Sequence, residues 1–257
     1  MNKLNIIKIG GNVIEDSKLL DSFLNDFANI KEHKILVHGG GKDASKLAKK
    51  LGINTNIIDG RRITDSSNLE IITMVYGGKI NKFIVAKLQG LNCNAIGVSG
   101  ADCNSITAVK RPIKEIDYGF VGDIDKINTN LFKLLLENKI TPVCCAISHD
   151  GKGQLLNTNA DTIASVLAIE LSKLYSVSLL YCFEKKGVLN IEKSDQKILE
   201  LITPTSYINL KSKGVINSGM IPKIDNCFNA LKSGVKIVKI GSPKIIKGNE
   251  PHTKVVL

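Results

Sequence analysis

The chain has 257 residues, 43% hydrophobic and 23% charged, enough for one large α/β domain or two smaller lobes and too ordinary a mixture for a disordered, collagenous or fibrous protein. Its formal charge is +11, yet of its 35 basic residues only Arg61, Arg62 and Arg111 are arginines, and the lysines stand scattered among Ile and Asn. With 5% aromatics and no Trp, this argues against the Arg- and aromatic-rich face of a nucleic-acid binder and against a basic membrane surface, and leaves most lysines as solvated exterior.

Residues 4–9 read as a strand halted by Gly10-Gly11, after which Asp16 or Ser17 caps a helix whose Leu19, Leu20, Phe23, Leu24 and Phe27 recur every three to four residues. Residues 34–38 form a second strand ending at Gly39-Gly40-Gly41, and a helix from Asp43 follows and stops at Gly52. Ser67-Asn68-Leu69-Glu70 has the form of a capping box for a long helix towards Leu88. Further strands are expected at 95–98, 118–124, 142–147, 177–183 and 235–240, with helices from about Thr129, Ala160 and Met220. This alternation predicts an α/β fold with a mainly parallel central sheet, helices on both faces and right-handed crossovers. A second lobe is expected to begin near the strand at 177, dividing the chain into 1–174 and 175–257.

Cys93, Cys103, Cys144, Cys145, Cys182 and Cys227 include no C-x-x-C pair and no His at metal spacing, so reduced thiols are expected, with neither zinc nor disulfides. The N-terminal apolar stretch is short and interrupted by Lys8, and no 18-residue apolar run follows, so a soluble cytoplasmic protein is expected.

Ligands of open α/β sheets bind beyond the carboxyl ends of the strands. There the chain carries Lys8-Ile9-Gly10-Gly11, His38-Gly39-Gly40-Gly41-Lys42 and Val98-Ser99-Gly100-Ala101-Asp102. Neither G-x-G-x-x-G nor the Walker A loop occurs, but glycine turns opening helices expose backbone N–H groups to anions. Lys8 interrupts a strand that should be buried, where a lysine needs an anion to balance it. Gly60-Arg61-Arg62-Ile63-Thr64 is either a bidentate carboxylate site or a solvated turn, and Asn157-Thr158-Asn159-Ala160-Asp161 is either a ligand site or a helix cap. In the stretch from Gly214 to Lys223, a lysine in the first turn of a helix opposes the dipole and again points to an anion.

Lys8-x-Gly10-Gly11, His38-Gly39-Gly40-Gly41, Arg62-x-Thr64, Asn157-x-Asn159-Ala160-Asp161 and Gly214-x5-Met220-x2-Lys223 together resemble the amino acid kinase family in order and spacing, over nearly the whole chain. The resemblance implies the three-layer αβα amino acid kinase fold in two lobes, the first binding an acyl amino acid and dimerising, the second binding nucleotide. It is strongest to members that transfer the ATP γ-phosphoryl to the side-chain carboxylate of N-acetyl-L-glutamate in arginine biosynthesis, with Mg2+ carried on the nucleotide phosphates.

By the same resemblance Lys8 and Lys223 flank the transferred phosphoryl and Asp161 orients them. Gly40 and Gly41, Arg62, Asn157 and Asn159 bind the acyl amino acid, Arg62 gripping its α-carboxylate. Gly10, Gly11, Glu184, Gly187, Val215, Ile216 and Asn217 serve the nucleotide, although Glu184-Lys185-Lys186-Gly187-Val188-Leu189 stands where the family usually has Asp-Val-x-Gly-Val-Leu, and the usual glycine before Thr253 is missing. A chain beginning at its first strand is expected, by resemblance, to be an arginine-insensitive homodimer. Two alternatives stand beside this reading: the same reaction on N-succinyl-L-glutamate, with Arg61 or Lys110 meeting the extra carboxylate, or a non-catalytic nucleotide- or amino-acid-binding relative.

Overall fold

In the computed structural model, which describes residues 1–58, 60–190, 197–216, 220–248 and 250–257, the Ile- and Leu-rich runs fold as buried strands. β1 (Lys3–Ile9) ends at Gly10, and α1 (Gly11–Glu15) begins at once, so the first Gly-Gly is a strand-to-helix turn. Asp16 caps α2 (Ser17–Ala28): its Oδ1 accepts from the Leu19 N–H at 3.0 Å, and Leu20, Phe23, Leu24 and Phe27 form the buried stripe. β2 (His33–His38) leads through Gly39 into α3 (Gly41–Lys50), which starts two residues before Asp43 because Gly40 takes the cap position. β3 (Ile57–Ile58) and β4 (Arg61–Arg62) pair as an antiparallel hairpin.

The long helix runs in three segments: α4 (Ser66–Ile72), a π-helix at Thr73–Ile80 and α5 (Asn81–Gly90). Its cap is Asp65, whose Oδ1 accepts from the Asn68 N–H at 2.8 Å, rather than the box at 67–70. β5 (Ala95–Val98) lies where expected, whereas β6 (Ile106–Lys110) has no counterpart in the sequence reading. The strand expected at 118–124 begins later, as β7 (Gly122–Ile127), because Gly119 and Val121 make only single bridges, to Thr64 and Asn157.

After α6 (Thr129–Glu137), the apolar run at 142–147 supplies two strands, β8 (Thr141–Cys145) and β9 (Ile147–His149), which enter different sheets. An apolar run records burial but not sheet membership. β10 (Leu155–Asn157), α7 (Ala160–Leu171) and β11 (Ser176–Cys182) follow. β12 (Leu201–Ile202), α8 (Pro204–Ser212), α9 (Ile221–Lys232), β13 (Ile237–Gly241) and β14 (His252–Val255) complete the order; β12, α8 and β14 were not anticipated.

Contacts divide the chain into two compact units, Met1–His33 with Ala164–Leu257, and Lys34–Ile163. In the first, β1, β11 and β13 are parallel neighbours, β14 runs antiparallel to β13, and β12 lies parallel to β14. Its core includes Leu4, Ile6, Ile7, Ile9, Val177, Leu179, Val238 and Ile240, each fully buried side chain contributing about 1.5–3 kcal/mol. In the second, β2, β8 and β5 are parallel, and β10, β9, β6 and β7 form a mixed four-stranded sheet. The α/β class with a mainly parallel central sheet is thus present. The division differs from one at residue 174 because β1 pairs along its whole length with β11, from Lys3↔Ser176 to Ile9↔Cys182.

Candidate active site

In the unit Lys34–Ile163 the glycine turn after β2 is shaped by the π-helix. A Cβ on Gly40 would stand 2.5 Å from Ile80 Cδ1 and 2.8 Å from Tyr76 Cδ1, so glycine is required there by packing. Strand alternation in β4 turns Arg61 to solvent and buries Arg62, which is 8% exposed. Arg62 Nη2 donates to the Gly41 carbonyl at 2.9 Å and to Ser45 Oγ at 2.7 Å. No carboxylate among the described residues pairs with Arg62, so the guanidinium is buried against neutral acceptors with its charge uncompensated by them.

Asn157, at the end of β10, joins the same group: its Nδ2 donates to Thr64 Oγ1 at 3.0 Å, and Thr64 Oγ1 donates to the Arg62 carbonyl at 3.1 Å. Asn159 instead accepts on its Oδ1 from the N–H groups of Asp161 (2.8 Å) and Thr162 (3.1 Å), so it caps α7 and retains only its amide NH2 for a ligand. Asp161 is half-buried in the first turn of that helix. Beneath the turn, His38 Nδ1 donates to the Gly39 carbonyl at 2.8 Å while Asn81 Nδ2 donates to His38 Nε2 at 3.0 Å and to the Val143 carbonyl at 2.8 Å. Burial lowers the His38 pKa to about 4, against the opposing Gly39 bond, so the imidazole is a neutral strut.

In the other unit, Lys8 is half-buried near the end of β1 and registers with Tyr181, whose side chain therefore leaves the same face of the sheet. Lys223, in the first turn of α9, places its Nζ 4.9 Å from the centroid of the Tyr181 ring. Two of the predicted lysines thus share one aromatic neighbour that sequence reasoning missed, because register between β1 and β11 is not written in either strand. The Gly10 N–H donates to the Cys182 carbonyl at 2.9 Å. That corrects the expectation that it is a free donor and leaves Gly10 only its backbone shape to offer; Gly11 opens α1.

Gly187 is held where a Cβ would stand 2.6 Å from Ile198 Cγ2 and 2.8 Å from Thr253 Oγ1, and Thr253 Oγ1 accepts from the Val188 N–H at 2.8 Å. Thr253 therefore clasps this turn without the glycine expected before it, while Glu184 is exposed. Val215 and Ile216 bury their side chains, so a ligand could meet only their backbone. Asn217 lies outside the described residues.

Burial raises the Cys182 and Cys145 thiols to about 12 and Cys144 further, so these behave as small hydrophobes, as the apolar run around Cys144 implied. Among the described residues no three His, Cys, Asp or Glu gather as metal ligands, and no helix is long and apolar enough to cross a membrane.

Residues 3–242 match the model of the amino acid kinase family. An acetylglutamate kinase of Cytophaga hutchinsonii is 56% identical over 241 residues, 93% of this chain and 91% of that protein. One of Bacteroides thetaiotaomicron is 50% identical, covering 96% of each. Among solved structures, smu.665 from Streptococcus mutans UA159 superposes with a TM-score of 0.80 at 27% identity, covering 93% of this chain and 94% of that one. By sequence over nearly its whole length and by fold, this chain belongs to the amino acid kinase family.

Proposed function

We propose that the protein is a kinase that phosphorylates the side-chain carboxylate of N-acetyl-L-glutamate with ATP, giving N-acetyl-L-glutamyl 5-phosphate. The observation that carries this is the 56% identity to an acetylglutamate kinase over 93% of the chain. The same relatives favour the acetyl over the succinyl substrate and an enzyme over a non-catalytic binder. We further assign it to arginine biosynthesis in the cytoplasm, acting as a homodimer, with the acyl amino acid bound by the unit Lys34–Ile163 and the nucleotide by the unit that joins Met1–His33 to Ala164–Leu257.

The chemistry suits the residues. A carboxylate with a pKa of about 4.3 is ionised at neutral pH, so the nucleophile needs no base, in keeping with a His38 already committed to two hydrogen bonds. What the reaction needs is cations. Lys8 and Lys223, both beside Tyr181, stabilise charge on the transferring phosphoryl, and Asp161 keeps the orienting role that the resemblance assigns it. Arg62 takes the α-carboxylate, supported by its burial and by the absence of a carboxylate partner among the described residues, and Asn157, bonded through Thr64 to the same strand, takes the amino acid's polar atoms. Mg2+ would be held by the nucleotide phosphates rather than by a protein cage, and would neutralise their charge.

A coupled assay of ADP release tests this. Turnover is expected with MgATP and N-acetyl-L-glutamate, at a higher kcat/KM than with N-succinyl-L-glutamate. No turnover with either, or a stronger preference for the succinyl compound, would overturn the assignment.

A further inference from the structure

Thr64 is fully buried, and its backbone is fixed on both sides. Its N–H donates to the Tyr118 carbonyl at 3.0 Å, and its carbonyl accepts from the Phe120 N–H at 2.7 Å. Gly119 lies between these partners at a φ of +70°, where a Cβ would stand 2.3 Å from the Thr64 carbonyl oxygen, so only glycine admits the approach. The Phe120 carbonyl in turn accepts from the Asn157 N–H at 2.9 Å. One short segment therefore sets the spacing between Thr64 and Asn157, and the two side chains add a contact of their own.

That contact has a direction. A threonine hydroxyl has one hydrogen to give. Thr64 gives it to the Arg62 carbonyl at 3.1 Å, which leaves Oγ1 an acceptor, and the group that meets it at 3.0 Å is therefore the NH2 of Asn157 and not its carbonyl. With Nδ2 held against Thr64, Oδ1 is on the other arm of the carboxamide. Asn157 is half-buried, and among the described residues nothing donates to that oxygen. An oriented acceptor selects for a donor. N-acetyl-L-glutamate at neutral pH has two carboxylates and an acyl carbonyl, all acceptors, and one donor, the N–H of its acyl amide.

We propose that Thr64 is a positioning residue for substrate recognition: it fixes which way the Asn157 carboxamide faces, so that Oδ1 accepts from the acyl-amide N–H. This rests on the reading of Asn157 as part of the acyl-amino-acid site. Thr64 is itself sealed from solvent and touches no ligand, so its effect falls on discrimination between substrates with and without that N–H.

The test compares N-acetyl-L-glutamate with (S)-2-acetoxyglutarate, the ester that carries oxygen in place of the N–H. It uses the parent enzyme, Thr64→Val (or Thr64→Ala should the valine variant not fold), Thr64→Ser and Asn157→Ala. The parent is expected to favour the amide by about 10-fold in kcat/KM, the scale of one hydrogen bond whose acceptor would otherwise be left unpaired. Thr64→Val keeps the shape of the side chain without its hydroxyl and should bring the ratio towards one. Thr64→Ser should hold it near the parent value, and Asn157→Ala, at a half-buried position, should abolish the preference. A merely structural role for Thr64 would lower Tm, or the rate on both substrates together, and leave the ratio unchanged. That result, or a preference that survives Asn157→Ala, overturns the inference. Failure of the wider reading looks different: a parent enzyme without turnover on N-acetyl-L-glutamate removes the substrate assignment and this inference with it, whereas turnover with no preference for the amide removes this inference alone.

Discussion

Arg62 and Lys223 are both drawn back from solvent, but they are held in different ways. Arg62 is bonded by one nitrogen to the Gly41 carbonyl and Ser45 Oγ, and its own carbonyl is tied through Thr64 to Asn157. Lys223 rests its ammonium over the Tyr181 ring, a contact that attracts charge without fixing its direction. A group that reads the shape of a carboxylate gains from a locked plane. A group that follows a phosphoryl as it changes partners gains from a point charge on a long stem. On this comparison, damage to the Arg62 set should appear in KM for the acyl amino acid, and damage to the lysines in kcat.

The largest effect tests that split directly. Lys8→Ala and Lys223→Ala are each expected to lower kcat by about 10²–10³, with KM for N-acetyl-L-glutamate changed far less. Rates within twofold of the parent enzyme would remove both lysines from the mechanism. Next in size is the acid response of the strut beneath the glycine turn. His38 titrates near 6.5 when unfolded and about 4 when folded, so below 6.5 the unfolded chain binds the extra proton first. The contribution of the neutral imidazole is complete above pH 6.5 and is lost as pH falls towards 4, about 3 kcal/mol in all. Urea midpoints measured across that range should fall, and the His38 ring should stay neutral by NMR down to about pH 4; a ring titrating near 6.5 contradicts its burial.

The glycine turns, the lysine in β1 and the Arg pair were legible because each breaks a local rule: a charge inside an apolar run, or glycines where a helix starts. The alternation of strands and helices was legible for the same reason that periodicity reports burial. Tyr181, Thr64 and Ser45 were not, since each matters through a neighbour distant in sequence: Lys8 for Tyr181, Asn157 for Thr64, Arg62 for Ser45. The split of 142–147 into β8 and β9 was hidden for a related cause. Both halves are buried, and nothing in an apolar run says that its end leaves one sheet for another.

Gly40 links the two kinds of residue and gives a smaller effect than the His38 titration. Alanine there drives a methyl into Ile80 and Tyr76, at 2.5 and 2.8 Å, in a packed environment. Overpacking of this kind costs about 1–3 kcal/mol, and because the next residue, Gly41, accepts from Arg62 Nη2, the acyl amino acid's KM should rise with the loss of Tm. Gly10→Ala is the control: its Cβ would find ordinary contacts at 3.6 Å or more, so Tm should hold.

Asn159 carries the smallest effect and separates two readings of one residue. Its Oδ1 is committed to the N–H groups of Asp161 and Thr162, while its amide NH2 is free to serve a ligand if the family's pattern applies. Asn159→Ala removes both functions and should cost about 1 kcal/mol of stability. Asn159→Asp restores the cap, since a carboxylate oxygen accepts the same two bonds and suits the helix N-terminus, but it has no NH2 to donate. If Asn159 binds the acyl amino acid, the aspartate variant recovers the parent Tm and keeps a raised KM. If it is only a cap, Tm and KM recover together, and the residue leaves the substrate site while Asn157, tied through Thr64 to Arg62, stays in it.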